Sequence, residues 1–208
     1  MARRLESRLK GLYLITPDEA DTARLVRRVE AVLASATWLQ YRNKSAGEAL
    51  RRTQIAVLLP VCRHAGVPLL VNDDWRLAHE LGADGAHLGG EDGGMRAARE
   101  GLGDVALLGA SCYDDLRRAE AAADAGASYV AFGAFFPSPT KPNARRATPQ
   151  LLRDAATIGL PRVAIGGITP ENALALIDAG ADMIAVISGV FDAPDPAAAA
   201  QAYRACFD

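Results

Sequence analysis

No run of this 208-residue chain is long and apolar enough to span a bilayer as a helix. Cysteine is scarce. Cys62, Cys112 and Cys206 are odd in number and show no CxxC spacing, which suits a reducing compartment rather than a disulfide framework. A charge excess of either sign is also lacking: the formal net charge is -2, so no strong basic field points to nucleic acid or to an anionic membrane. Basic pairs occur (Arg51 with Arg52, Arg145 with Arg146), and they read as solvated faces. Lysine is rare beside arginine, as composition bias would produce, and of Lys10, Lys44 and Lys141 two fall in loops that look functional for other reasons. The opening MARRLESRLKG has basic residues but no apolar core, so a secretory signal is not expected and the chain reads as soluble and cytoplasmic. No GxGxxG follows the first strand, which weakens a dinucleotide-binding reading, and no GxSxG elbow suggests a Ser/His/Asp hydrolase.

What is present is alternation. Short β-type runs recur at 11–15, 37–41, 68–71, 85–88, 105–110, 129–132, 162–165 and 183–187, bounded by Gly, Pro or polar residues. Between them apolar residues follow helical spacing, as in Leu25, Val29, Val32 and Leu33, or Leu151, Leu152, Ala155 and Ile158. Thr169 and Pro170 form an N-cap and first-position pair. A phrase of helix, then Gly-Ala-Asp or Gly-Ala-Ser, then strand recurs at LGADGAHL, DAGASYVAF and DAGADMIAV, with the Gly closing the helix in a left-handed turn. Eight βα units in this length predict an α/β protein, a single (β/α)8 TIM barrel over residues 1–208, ahead of an open doubly wound sheet.

In such a barrel chemistry gathers at the C-terminal strand ends. Here those ends read ITPD, QYRNK, NDD, HLGGED, GASCYD, GAFFPSPTKP, IGGI and ISG. Alternation turns Gln40, Arg42 and Lys44 to one side, where Arg42 offers a fork and Lys44 a point charge to an anion. The acidic clusters Asn72–Asp74 and Glu91–Asp92 suit a Mg²⁺ ion that shares its ligands with substrate phosphates. The competing reading is that these Asp residues cap the helices that follow. Ser138, Thr140 and Lys141 lie in a Pro-rich loop that either holds a phosphate or is ordinary surface, while Gly167 and Ser188 follow strands seven and eight, a common phosphate site. Ser111 ends strand five; His87 reads as packed, and His64 and His79 as structural helix residues.

The ordered set GLYLITPD, QYRNK, VNDD, HLGGED, GAS, FFPSPTKP, AIGGI and VIS, from Gly11 to Ser188, resembles the thiamine-phosphate synthase family. The resemblance implies an enzyme, a transferase that joins 4-amino-2-methyl-5-hydroxymethylpyrimidine diphosphate to a thiazole phosphate, forming thiamine phosphate and releasing diphosphate. It implies Mg²⁺ on Asp73 and Asp92. It places Gln40, Arg42, Lys44, Asn72, Ser111 and Lys141 around the pyrimidine diphosphate, with Arg42, Lys44 and Lys141 as the catalytic cations. Ser138, Thr140, Gly167, Ile187 and Ser188 would hold the thiazole phosphate. The partners implied are small molecules, with no nucleic acid and no membrane; the oligomeric state is left open. Two positions depart from the pattern: Gly90 where many members have Gln, and Tyr113 near a common His. The alternatives on this fold are a thiazole tautomerase and a catalytically silent phosphate-binding barrel. Retention of Asp73, Asp92, Arg42, Lys44 and Lys141 favours the synthase.

Overall fold

The computed structural model describes residues 10–89, 94–137 and 146–208. Eight parallel strands close on themselves in chain order: β1 (Gly11–Ile15), β2 (Ala36–Tyr41), β3 (Leu69–Asn72), β4 (Gly85–Leu88), β5 (Leu107–Tyr113), β6 (Tyr129–Gly133), β7 (Arg162–Ile165) and β8 (Met183–Val186). Pairing of β1 with β8, Gly11 opposite Met183, closes the ring and excludes the open doubly wound sheet. The helices are α1 (Thr22–Leu33), α2 (Glu48–Ala65), α3 (Trp75–Leu81), α4 (Met95–Leu102), α5 (Leu116–Asp124), α6 (Pro149–Asp154), α7 (Pro170–Asp178), the short α8 (Ser188–Phe191) and α9 (Pro196–Ala205). A 3-10 turn, Ala155–Ile158, extends α6. The sequence expectation for strand five needs correction. Val105 is 97% exposed, and the strand starts at Leu107, whose N–H donates to Asp84 O (2.9 Å).

Alternation along the strands sorts their side chains. Leu12, Leu14, Leu39, Leu69, Ala86 and Leu108 join Leu25, Val29, Ile55 and Leu58 of the helices in the large core between the sheet and the helical ring. The opposite parity (Tyr13, Ile15, Trp38, Leu70, Tyr129, Ala131, Val163, Met183 and Ala185) fills the barrel interior. The stripe Leu25, Val29, Val32 and Leu33 expected for α1 is fully buried. Thr169 and Asn172 close a capping box at the start of α7, with Pro170 inside it.

The recurring Gly-Ala-Asp/Ser phrase has a structural cause. Gly82, Gly126 and Gly180 all have positive φ and end or follow a helix. Two residues on, a polar side chain accepts the first or second N–H of the preceding strand. Asp84 Oδ2 accepts from Leu69 (2.8 Å), Ser128 Oγ from Leu108 (3.1 Å) and Asp182 Oδ2 from Arg162 (2.8 Å). These staples sit at the end of the barrel opposite the site and tie β3 to β4, β5 to β6 and β7 to β8. Arg99 on α4 adds a clasp, donating to Gly103 O, Ala106 O, Gly126 O and Ser128 Oγ over 2.6–3.0 Å.

The loop after β1 is held as firmly. The Glu19 side chain, 2% exposed, takes Arg24 Nε (2.5 Å) and Nη2 (2.7 Å) and the Asp21 N–H (2.9 Å). Its backbone oxygen accepts from Asn43 Nδ2 (2.6 Å) and Gln54 Nε2 (2.8 Å). The Arg24 hydrogen bonds, helped by the Asp21 N–H, outweigh desolvation and lower the Glu19 carboxyl from 4.5 to about 2. A lowered carboxylate stabilises the fold above its unfolded value, so this contribution is complete above 4.5 and is lost as pH falls toward about 2. Glu19→Gln should therefore flatten the acid limb of stability. Urea melts of both proteins at about pH 5 and about pH 3 measure this, and parallel losses would discard the assignment.

Candidate active site

Polar groups collect where β2 and β3 open into loops. After β2 the chain turns under Thr16, whose Oγ1 donates to Arg42 O (2.8 Å) and accepts the Arg42 N–H (2.8 Å). Asp18 Oδ1 then takes both Arg42 Nη1 (3.0 Å) and the Lys44 N–H (2.9 Å), fixing the direction of QYRNK. Lys44 Nζ lies 3.6 Å from Asp73 Oδ2. Asp73 follows β3 with φ 64°, a left-handed conformation that Asp and Asn tolerate better than most residues. Its N–H donates to His87 O (2.8 Å), which sets the register of this bend against β4. Tyr41, Asn43, Lys44, Arg51, Asn72 and Asp73 line a cavity of about 330 Å³ at this end of the barrel.

The two aspartates of the first acidic cluster differ in what they touch. Asp74 caps α3 by accepting the Leu77 N–H (3.0 Å), while the adjacent Asp73 carboxylate, 33% exposed, lines the cavity. Arg51 corrects the sequence expectation. Instead of a solvated face, it occupies the cavity wall 3.6 Å from Asp74 Oδ2, and its buried Nε has no hydrogen-bond partner among the described residues. Three cations thus face three carboxylates: Arg42 with Asp18, Lys44 with Asp73 and Arg51 with Asp74. The described part of the site is close to neutral.

The remaining expected residues fall into three groups. Gln40 and Ser111 are inside the barrel rather than in the cavity wall. Gln40 is 2% exposed and donates to Tyr13 Oη, and Ser111 Oγ lies 2.9 Å from His87 Nε2. Gly167, Ile187 and Ser188 lie past β7 and β8, separated from β2 by β1. Gly167 has φ 63° and is packed so closely that a Cβ would overlap the Pro137 carbonyl oxygen. Ser188 is exposed and opens α8, and Ile187 O accepts the Val190 and Phe191 N–H groups (3.2 and 3.0 Å). Asp92, Ser138, Thr140 and Lys141 lie outside the described residues, as does Gly90. His87 is buried as expected, whereas His64 and His79 are exposed in the last turns of α2 and α3. Among the described residues no three His, Cys, Asp or Glu side chains cluster to form a complete metal cage.

Comparison with known proteins decides what this arrangement belongs to. A family model described as thiamine monophosphate synthase matches residues 12–190. The chain belongs to this family. It is 60% identical over 198 residues to the thiamine-phosphate synthase of Xanthomonas campestris, covering 95% of this chain and 96% of that one. It is 53% identical over 204 residues to the enzyme of the same name from Xylella fastidiosa, covering 98% and 87%. A solved thiamine phosphate pyrophosphorylase from Pyrococcus furiosus superposes with a TM-score of 0.84 at 33% identity, covering 98% of this chain and 97% of that one. The match runs from β1 through α8, so both strand-end groups lie within the family's shared core.

Proposed function

We infer that this chain is a transferase of thiamine biosynthesis, joining 4-amino-2-methyl-5-hydroxymethylpyrimidine diphosphate to a thiazole phosphate to give thiamine phosphate and diphosphate. The observation that carries the reading is that Lys44, Asn72 and Asp73 line one cavity at the strand ends of a barrel from this family, with Arg42 tied to Lys44 through Asp18. In this reaction the methylene carbon–oxygen bond breaks and its electron pair leaves with diphosphate. The pyrimidine-stabilised carbocation that remains is attacked by the thiazole nitrogen. No side chain needs to become a nucleophile; the protein supplies charge for the leaving group and proximity for the attacking nitrogen.

Arg42 and Lys44 would hold the diphosphate, Arg42 through its fork and Lys44 as a point charge. Asn72 would donate from the end of β3. Lys141 completes the cationic set implied by the family pattern. Because the described cations are already matched by carboxylates, the diphosphate requires charge from elsewhere. Mg²⁺ fits this requirement, with Asp73 and Asp92 as protein ligands beside phosphate oxygens, and would neutralise charge on the leaving group. Gly167, Ile187 and Ser188, with Ser138 and Thr140, would take the thiazole phosphate through backbone and hydroxyl groups. Gln40 and Ser111 would meet the pyrimidine ring inside the barrel. The tautomerase reading leaves the set Arg42, Lys44 and Asp73 without a purpose, and turnover separates the synthase from a silent barrel.

The test is incubation with both substrates and Mg²⁺, reading thiamine phosphate by its oxidation to fluorescent thiochrome phosphate. Product that depends on both substrates supports the reading. Tight Mg²⁺-dependent diphosphate binding without product would replace it with a silent barrel.

A further inference from the structure

Five side chains from five strands form one hydrogen-bonded chain across the barrel interior. Gln40 Nε2 donates to Tyr13 Oη (2.7 Å), Tyr13 Oη meets Tyr129 Oη (2.8 Å), Tyr129 Oη meets His87 Nδ1 (2.9 Å), and His87 Nε2 meets Ser111 Oγ (2.9 Å). Gln40, Tyr13, Tyr129 and His87 are all buried. Gly109 makes the crossing possible, since a Cβ there would overlap the Tyr129 ring. The aromatic rings hold one another as well: Tyr13 meets Tyr129 edge-on at 5.9 Å, and Tyr129 stacks on His87 at 5.6 Å.

Such a chain has a direction. Burial raises both phenols well above their ordinary value, so each carries one proton to donate. Tyr13 accepts the Gln40 N–H, so its own proton goes to Tyr129. Tyr129 then gives its proton to His87 Nδ1. A neutral imidazole that accepts at Nδ1 carries its proton on Nε2 and donates it to Ser111 Oγ. The Ser111 hydroxyl proton and the Gln40 carboxamide oxygen are the groups the chain does not use. One end therefore offers an acceptor and the other a donor.

We propose that Tyr13, Tyr129 and His87 are positioning residues that lock Gln40 as an acceptor and Ser111 as a donor, selecting a ring with an amino group toward Gln40 and a ring nitrogen toward Ser111. This rests on the assignment of Gln40 and Ser111 to the pyrimidine. The 4-oxo counterpart of that ring puts a carbonyl where the amine donated. Gln40 can meet a carbonyl only by turning its amide. In its lactam form that ring also carries a proton on the adjacent nitrogen, which meets the Ser111 hydroxyl proton, so the 4-oxo ring is mismatched at both ends unless the amide turn reverses every proton in the chain. Discrimination is thus enforced at both ends at once, and a site built on buried hydrogen bonds rejects the wrong partner strongly.

Two measurements test this. Nitrogen-15 spectra of the three histidines at about pH 8, with the His87 signal assigned by its loss in His87→Asn, report which ring nitrogen is protonated. His87 is expected as the Nε2–H tautomer, becoming mixed in Tyr13→Phe, which a purely structural role for Tyr13 would not produce. In parallel, competition between the amino pyrimidine diphosphate and its 4-oxo analogue gives the selectivity. The preference for the amino form should fall about tenfold or more in Tyr13→Phe, as for loss of one buried hydrogen-bond partner. An Nδ1–H or doubly protonated His87 in the unmutated protein overturns the proposal. So does unchanged selectivity in a Tyr13→Phe protein with native melting. If Tyr13→Phe does not fold, the tautomer of the unmutated protein decides. If no thiamine phosphate forms while His87 is still the Nε2–H tautomer, the assigned reaction fails and the relay stands.

Discussion

Chelation of divalent cations with excess EDTA is expected to reduce thiamine phosphate formation by at least about 10²-fold, and Asp73→Asn should do nearly the same at limiting Mg²⁺. The reasoning starts from the charge balance. Arg42, Lys44 and Arg51 are each matched by a carboxylate, so the described site brings little net positive charge to a diphosphate. An added dication changes that balance more than any single side chain does. Asp73→Asn isolates the charge, because Asn also tolerates the left-handed backbone at φ 64° and keeps the N–H bond to His87 O. Its loss of the Lys44 contact matters little to folding, since that pair is exposed and 3.6 Å apart. Raising Mg²⁺ should restore part of the activity of Asp73→Asn, with the half-saturating concentration shifted roughly 10–100-fold. Full turnover in EDTA would remove the metal from the mechanism, and a Mg²⁺ titration of each protein supplies the comparison.

Arg42→Ala is expected to lower kcat/KM by roughly 10²–10³, the size seen when one preorganised donor to developing charge is removed. Arg42→Lys should recover only a small part, because a point charge does not replace a planar fork. The structure adds a second component. Removing the guanidinium leaves Asp18, which had held Arg42 Nη1 at 3.0 Å, as an unmatched carboxylate beside the diphosphate. Asp18→Asn in the Arg42→Ala background should therefore raise activity several-fold, whereas Asp18→Asn alone should reduce it by loosening Arg42 and Lys44. Such a sign reversal across a double-mutant cycle is the mark of coupled neighbours. Steady-state kinetics on the four proteins measures it, and additive effects would mean that Asp18 does not act through Arg42.

Much of the barrel was legible because its strands interrupt themselves. Apolar runs end in Gln40, Arg42, Asn72, Asp73 and Ser111, and the helix-to-strand phrase with Gly marks the re-entries into β4, β6 and β8. Strand five was misplaced because β-branched Val105 looks like a strand residue, although its position is set by what Leu107 can pair with on Asp84. Arg51 was hidden for a similar reason. On α2 it resembles any exposed helical arginine, and only the approach of Asp74 from the end of β3 makes it part of the site. The interior relay was not legible at all. Tyr13 and Tyr129 read as ordinary apolar strand residues, and their hydroxyls meet across 116 residues of sequence. The motif arginine and lysine, by contrast, stood out because nothing apolar in a strand requires them.

The Asp and Ser staples divide the barrel in a way that its closed outline conceals. Asp84, Ser128 and Asp182 bind β3 to β4, β5 to β6 and β7 to β8, and Thr37 Oγ1 donates across the β1–β2 seam to Lys10 O (3.2 Å). A chain cut at residues 103–106 would leave both fragments with their strand pairs intact: four strands before the cut and four after it. The natural latch between those halves is Arg99, which reaches from the first to Gly126 O and Ser128 Oγ in the second. The same cut separates Gln40, Tyr13 and His87 from Tyr129 and Ser111, so neither half contains a continuous relay. Such a pair of complementing fragments would regain ring selectivity only on reassembly, making the barrel a reporter of its own completion.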